Sequence, residues 1–164
     1  MGTILILYHA VDRCIDTDQI QRIRRAGCSG QADMIRDRAL RTTARIRDMT
    51  DSLQHYRNGA VVRLRLDRPG LHNAFDADLI ASLTAALVAI GADRTVRVVV
   101  LEGAGPSFSA GADLNWMHSM ITASEDKNRV DALALAGLMR TLDDLPHPTI
   151  ARVHGAAFGG GVGL

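Results

Sequence analysis

The sequence HGAAFGGGVGL at residues 154–164 and the sequence FSAGADLNWM at residues 108–117 decide the fold. Each follows an apolar run typical of a strand and leads into residues typical of a helix start. Glycine in such a turn lets backbone N–H groups approach a ligand that a Cβ atom would block. The first N–H groups of a helix are unpaired and carry partial positive charge. Two such turns facing each other predict a site that stabilises negative charge on one oxygen, as an oxyanion hole does.

The residues between and before these turns predict alternating strands and helices. Residues 61–66 (VVRLRL) alternate as a half-buried strand does, and the apolar runs 96–101 and 149–153 are typical of buried strands. Helices are predicted near 76–90, with Asp76 as N-cap, and near 115–120 and 124–145. This order of elements predicts an α/β fold with mainly parallel strands.

Residues 1–50 have a different pattern. Ile4–Leu7 is a candidate short strand, and residues 18–25 and 32–49 are candidate helices with a thin apolar stripe among many arginines. Little apolar area is available there to offset the entropy of ordering. We therefore predict a poorly ordered or helical extension over residues 1–50, with a small helical cap on a partner as the alternative, and one folded domain over residues 51–164.

Composition excludes several classes of protein. Apolar residues make up 47%, charged residues 23%, and the net charge is +1, which gives no reason to expect a nucleic acid or an anionic membrane as partner. The apolar run at residues 3–8 is too short to span a bilayer, and it lacks the flanks of a secretory signal. Cys14 and Cys28 have no metal-ligand spacing with each other or with the histidines. A cytoplasmic protein without a metal is the expectation.

Several motifs, in order and spacing, resemble the crotonase family, also called the enoyl-CoA hydratase/isomerase superfamily. They are Asp67-Arg68-Pro69, Asn73-Ala74-Phe75, the run 96–101, Ser109 to Leu114, His154-Gly155 and Gly159-Gly160-Gly161. The resemblance covers residues 51–164 and is greatest to bacterial methylglutaconyl-CoA hydratase-like members. It implies a ClpP/crotonase ββα-spiral fold, an acyl-CoA thioester substrate, no separate cofactor because coenzyme A belongs to the substrate, and a homo-trimer or hexamer for the complete domain.

The resemblance also implies roles for individual residues. The amides of Ala112 and Gly160 would donate to the thioester oxygen. One wall of the site would be shaped by Ala110, Gly111, Asp113 and Leu114, the other by Gly159 and Gly161, and the coenzyme A groove would be lined around His72 and Ala74. Read without the family, Asp113 is equally a helix N-cap, and the two interpretations are compatible. The glycines of residues 159–163 match neither a P-loop nor a dinucleotide-binding turn.

Two departures from the family pattern bear on activity. Gly163 stands where hydratases commonly carry a first glutamate, and the second would follow Leu164, so the domain is expected to be truncated after its second glycine turn. The sequence thus predicts a fragment of an enoyl-CoA hydratase that adds water to a branched 2-enoyl-CoA such as methylglutaconyl-CoA, inactive on its own. The alternatives are another reaction of the family, such as double-bond isomerisation, or an inactive gene product or binding-only subunit.

Overall fold

A computed structural model describes the backbone of residues 4–8 and all of residues 52–164. Within these ranges five strands form one sheet, and three α-helices and two short helical turns connect them. The strands are β1 (Ile4–Tyr8), β2 (Leu53–Asn58), β3 (Val61–Leu66), β4 (Val98–Gly103) and β5 (Thr149–Val153). The helices are α1 (Ala77–Ala92), α2 (Leu114–Met120), α3 (Glu125–Asp143) and the single turn α4 (Gly160–Gly163), with a 3-10 turn at Pro69–Leu71.

The strand order in the sheet is β1-β5-β4-β3-β2. The three central strands are parallel, and the two outer strands pair antiparallel to their neighbours. Parallel strands place the loops that follow them at one edge of the sheet, where α/β proteins bind their ligands. Residues 67–76, 104–113 and 154–160 therefore all start from the same edge.

The core lies between the sheet and helices α1 and α3. Asp76 accepts a hydrogen bond from the Leu79 amide (2.8 Å) and so caps α1. The apolar stripe predicted for this helix is buried as expected: Ile80, Leu83, Leu87 and Ile90. On α3, Leu138 and Leu142 are buried against the same core. These contacts fix the helices against the sheet, and the three loops at residues 67–76, 104–113 and 154–160 start from one edge of that sheet.

The predicted α/β class is confirmed, as are the strands at 61–66 and 149–153 and the short strand near Ile4. The strand predicted at 96–101 begins two residues later, because the amides of Val96 and Arg97 donate to the turn residues Asp93 and Ala60 rather than to a strand. Strand β2 was not predicted; it forms a hairpin with β3 through the turn residues Gly59 and Ala60, and Gly59 has a φ of 58°.

Other predictions fall on residues outside the described ranges. These are the candidate helices at 18–25 and 32–49, the two cysteines, and most of the predicted extension. Among the helices that the structure describes, none has both the length and the apolar character needed to cross a membrane.

Candidate functional site

The two glycine turns follow β4 and β5 and lie in contact. Ser109 forms a parallel bridge with Ala157, in which Ser109 N donates to Ala156 O (3.3 Å) and Phe158 N donates to Ser109 O (2.9 Å). Gly111 has a φ of 85°, and a Cβ atom placed on it would lie 2.8 Å from Phe158 O and 3.2 Å from Gly160 N. The turns therefore approach each other through glycine backbone, at a distance that side chains would prevent.

The amide of Ala112 is unpaired within the described part of the chain. Ala112 bridges Phe75: Phe75 N donates to Gly111 O (2.7 Å), and Asp113 N donates to Phe75 O (2.7 Å). In such a parallel bridge the partner bonds the two flanking peptide groups, so the N–H of Ala112 itself faces away from Phe75.

The amide of Gly160 is also without an acceptor among the described residues, because it is the first residue of α4. Since Gly160 N lies 3.2 Å from the Cβ position of Gly111, and Gly111 directly precedes Ala112, the two unpaired amide nitrogens are within roughly 7 Å of each other by bond geometry. Two unpaired N–H groups thus lie close to each other where the two turns meet.

Asn73 holds the loop that leads into the first turn. It is fully buried, and its side-chain nitrogen lies within 3.1 Å of the carbonyl oxygens of Ala104, Ser107 and Phe108. Its side-chain oxygen accepts from Arg68 N (2.9 Å). Both the nitrogen and the oxygen of the side-chain amide are therefore hydrogen-bonded. The backbone of Asn73 has a φ of 55°, a conformation that asparagine tolerates better than most residues.

Ser109 extends this network into the turn. Its hydroxyl donates to Asn73 O (2.9 Å) and accepts from Gly111 N (3.2 Å). Since Gly111 directly precedes Ala112, the buried hydroxyl restrains the peptide group next to the unpaired amide.

Asp113 has the capping role that the sequence left open, and it also forms an ion pair. One carboxylate oxygen accepts from the amides of Asn115 (2.8 Å) and Trp116 (3.4 Å) at the start of α2. The other lies 3.1 Å from the guanidinium of Arg68, which also bonds Asp76 at 2.9 Å. The side chain of Asp113 is therefore buried behind the turn and fully occupied by the protein.

The other residues predicted for the first wall and groove are placed as follows. Ala110 N donates to His72 O (2.9 Å), while Leu114 is 80% exposed. His72 is exposed, with Nδ1 3.0 Å from the Ser107 hydroxyl. Ala74 is buried, its amide donates to Leu71 O, and its carbonyl accepts from Arg68. Of the two residues predicted for a coenzyme A groove, His72 is thus accessible and Ala74 is not.

The second wall contains few side chains. Gly159 has a φ of 50°, and a Cβ atom on Gly161 would lie 2.8 Å from the Cβ and the backbone oxygen of Ser109. Gly163 lines a cavity of about 550 Å³ together with Met139, Arg140, Leu142, Asp143 and Asp144. A Cβ atom at Gly163, the position at which the family resemblance places a carboxylate, would lie 3.4 Å from Met139 Sδ on α3.

Four residues that position the site had no role in the sequence prediction: Arg68, Asn73, Phe75 and Ser109. All four stand in the motifs that carry the family resemblance, which was the available signal. Their contacts to the first turn and the loop before it span 31 to 45 positions in the chain, so no local pattern predicted them. In the part of the chain that is described, no three metal-binding side chains cluster.

Comparison with known proteins gives a family match and solved structures of similar fold. Residues 56–164 match the family model described as enoyl-CoA hydratase/isomerase. A crystal structure of an enoyl-CoA hydratase from Shewanella pealeana is 41% identical, with a TM-score of 0.66 over 68% of this chain and 42% of that one.

Two relatives have other activities in their names. The 4-chlorobenzoyl coenzyme A dehalogenase-2 of an Arthrobacter species is 36% identical over 69% of this chain and 41% of its own length. The peroxisomal Delta(3,5)-Delta(2,4)-dienoyl-CoA isomerase of Arabidopsis thaliana is 32% identical over 73% of this chain and 44% of its own length. The chain thus spans about two fifths of the length of such relatives. The match to the family model over residues 56–164 and the shared crotonase fold show that the chain belongs to the enoyl-CoA hydratase/isomerase family.

Proposed function

We propose that the two glycine turns bind the thioester carbonyl of an acyl-CoA, with the amides of Ala112 and Gly160 as the donors of an oxyanion hole. The observation that carries the proposal is the pair of adjacent amides without acceptors in the described residues. An enolate formed from a thioester places its charge on that oxygen, and backbone donors stabilise the charge without titrating. Loss of one such donor in an enzyme costs about 10²–10³ in rate.

The reaction we propose for the complete protein is reversible addition of water to a branched 2-enoyl-CoA such as methylglutaconyl-CoA. The support is the enoyl-CoA hydratase/isomerase family match and the amino-acid sequence of the two turns. Double-bond isomerisation is the second candidate, because an isomerase stands among the relatives and an oxyanion hole serves both reactions. A role as a binding-only subunit is the third. We further propose a cytoplasmic protein that forms a homo-trimer or hexamer when complete.

The chain itself should not hydrate an enoyl-CoA appreciably. Water addition needs a general base and acid as well as an oxyanion hole. Asp113 and Glu102 are the carboxylates nearest in sequence to the first turn, and each is held in an ion pair with arginine, as is Asp76, which shares Arg68 with Asp113. A spectrophotometric assay with crotonyl-CoA and methylglutaconyl-CoA should show no turnover above background. Turnover at rates typical of enzymes would show that one of these acids is available for catalysis.

Binding gives a more direct test of the oxyanion hole. We would measure the affinity of the chain for butyryl-CoA and for S-butyl-CoA, a thioether that lacks only the carbonyl oxygen, by isothermal titration calorimetry. At about 1 kcal/mol for each hydrogen bond, two donors predict a preference for the thioester of about thirtyfold. Equal affinities would contradict the proposal.

A matched pair of variants isolates one donor. Gly160→Pro removes the N–H, and proline is well tolerated at the first position of a helix. Gly160→Ala keeps the N–H but adds the same Cβ atom, which would lie 3.1 Å from the Phe75 ring. The proposal predicts that Gly160→Pro reduces the thioester preference to about fivefold, as expected for one remaining bond, whereas Gly160→Ala retains it. Equal loss in both variants would attribute the effect to steric contact with Phe75.

A further inference from the structure

We propose that Arg68 is a positioning residue for the oxyanion hole, which it supports by fixing the direction of the Ala112 amide. The inference rests on the proposed function and adds a residue to it. The partners of the Arg68 guanidinium are Ala74, Asp76 and Asp113, not the two donor residues, so its effect would be transmitted through the residues it binds.

The guanidinium of Arg68 has three acceptors in this part of the fold. One terminal nitrogen donates to Ala74 O at 2.6 Å, and the other lies 2.9 Å from Asp76 Oδ2 and 3.1 Å from Asp113 Oδ2. The side chain is only 17% exposed. A charge so far removed from water is maintained only where its partners are well placed, and losing one partner of a buried ion pair is costly.

In the sequence, these acceptors lie next to the two residues of the backbone bridge. Ala74 and Asp76 stand on either side of Phe75, and Asp113 directly follows Ala112. Phe75 and Ala112 are the two residues of the backbone bridge that turns the Ala112 N–H outward. Arg68 therefore joins the two segments at the point where their pairing determines the direction of the donor.

Arg68 also balances charge beside the proposed hole. Asp76 and Asp113 contribute two carboxylates, and Arg68 is the cation bound to both. Without it, the negative charge of these side chains would oppose negative charge developing on a bound thioester oxygen. Both effects, the lost restraint and the uncompensated charge, would weaken polarisation of the carbonyl.

Polarisation can be measured without turnover. The probe is crotonyl-CoA labelled with ¹³C at the thioester carbonyl, and the readout is the shift of its C=O stretching frequency on binding, by infrared difference spectroscopy at saturating protein. The unaltered chain should lower the frequency, because two hydrogen bonds weaken the C=O bond. We expect Arg68→Gln to lose at least half of that shift and Arg68→Lys, which keeps the charge but loses the planar fork, to show an intermediate value.

Arg57→Gln is the matched control. Arg57 is likewise a partly buried arginine paired with an aspartate, Asp93 at 2.7 Å, but it lies on β2, and its hydrogen-bond partners Gly59, Asp93 and Thr95 belong to neither glycine turn. Its loss should lower the melting temperature without changing the frequency shift. A merely structural role for Arg68 would make the two variants alike in both measurements.

Each remaining outcome decides between the proposals. No frequency shift with the unaltered chain would overturn the oxyanion hole and this inference with it. A full shift in folded Arg68→Gln would overturn the inference alone. If Arg68→Gln fails to fold, the frequency shift is measured in Arg68→Lys instead. If both Arg68 variants fail to fold while Arg57→Gln folds, Arg68 serves stability, which contradicts the positioning role.

Discussion

The two glycine turns lie side by side but are held by different kinds of contact. The turn at residues 109–113 is fixed by polar side chains of another segment, those of Arg68 and Asn73, and by the Ser109 hydroxyl. The turn at 159–163 is fixed by backbone hydrogen bonds and by close packing of Gly161 on Ser109. Its one side chain, that of Val162, is 72% exposed, and the preceding Phe158 is 64% exposed.

This difference indicates how each half of the proposed hole keeps its shape. A polar network is specific but costly to damage, because a buried group that loses its partner pays the full cost of desolvation. Close backbone packing needs no partner, but it is sensitive to any added atom. The first turn should therefore be damaged by removing atoms, and the second by adding them.

Removal of the Asn73 side chain should have the largest effect. Asn73→Ala would leave three buried carbonyl oxygens without their donor and place alanine at a left-handed φ of 55°. We expect a loss of about 3 kcal/mol or more in the free energy of unfolding, measured by urea titration. Asn128→Ala is the control: it removes one bond to Met120 O but also a buried Oδ1 that has no partner among the described residues, so it should cost at most about 1 kcal/mol. Equal costs would contradict the central position given to Asn73.

Addition of one methyl group should damage the second turn. In Gly161→Ala the new Cβ would lie 2.8 Å from Ser109 Cβ, so the turns must separate. We expect a loss of about 2 kcal/mol in the free energy of unfolding. The matched control is Gly137→Ala on α3, where a Cβ meets no atom within 4 Å; by helix propensity it should stabilise the chain by up to about 1 kcal/mol. A neutral Gly161→Ala would show that the turns are not in tight contact.

Mild acid should give the smallest effect and leave both turns as they are. His55 lies on β2, and its Nε2 has no hydrogen-bond partner in the described part of the chain. Burial, assisted by the positive charge of Arg57, lowers the pKa of His55 below the ordinary value of 6.5. The unfolded chain therefore binds this proton more readily than the folded chain does. Stability from this group is present above about pH 6.5 and is lost as the pH falls through the lowered pKa.

The measurement is the free energy of unfolding between pH 7.5 and 5. His55→Gln should reduce its decline with falling pH, because the variant has no proton to bind at this position. A steeper decline in the variant, or the same one, would show that other groups control acid stability in this range.

The sequence predicted the parts of the molecule that depend on local patterns. The α1 stripe, the Asp76 cap and the glycine turns all follow from spacing over a few residues. Strand β2 (LQHYRN) was missed because it is an edge strand with no clear alternation. The contact of Arg68 with Asp113 spans 45 positions and arises only when two strand ends meet. Local spacing cannot encode such a contact, so the positioning residues emerged only from the fold.

The most direct test of the account follows the two proposed donors themselves. In a ¹⁵N–¹H correlation spectrum of the labelled chain, saturating crotonyl-CoA should move the amide proton resonances of both Ala112 and Gly160 downfield, because each forms a hydrogen bond to the thioester oxygen. The thioether S-butyl-CoA should leave both near their free positions, and the amide of Asp113, already bonded to Phe75 O, should move little with either ligand. Unchanged resonances of Ala112 and Gly160 at saturating crotonyl-CoA would contradict the oxyanion hole.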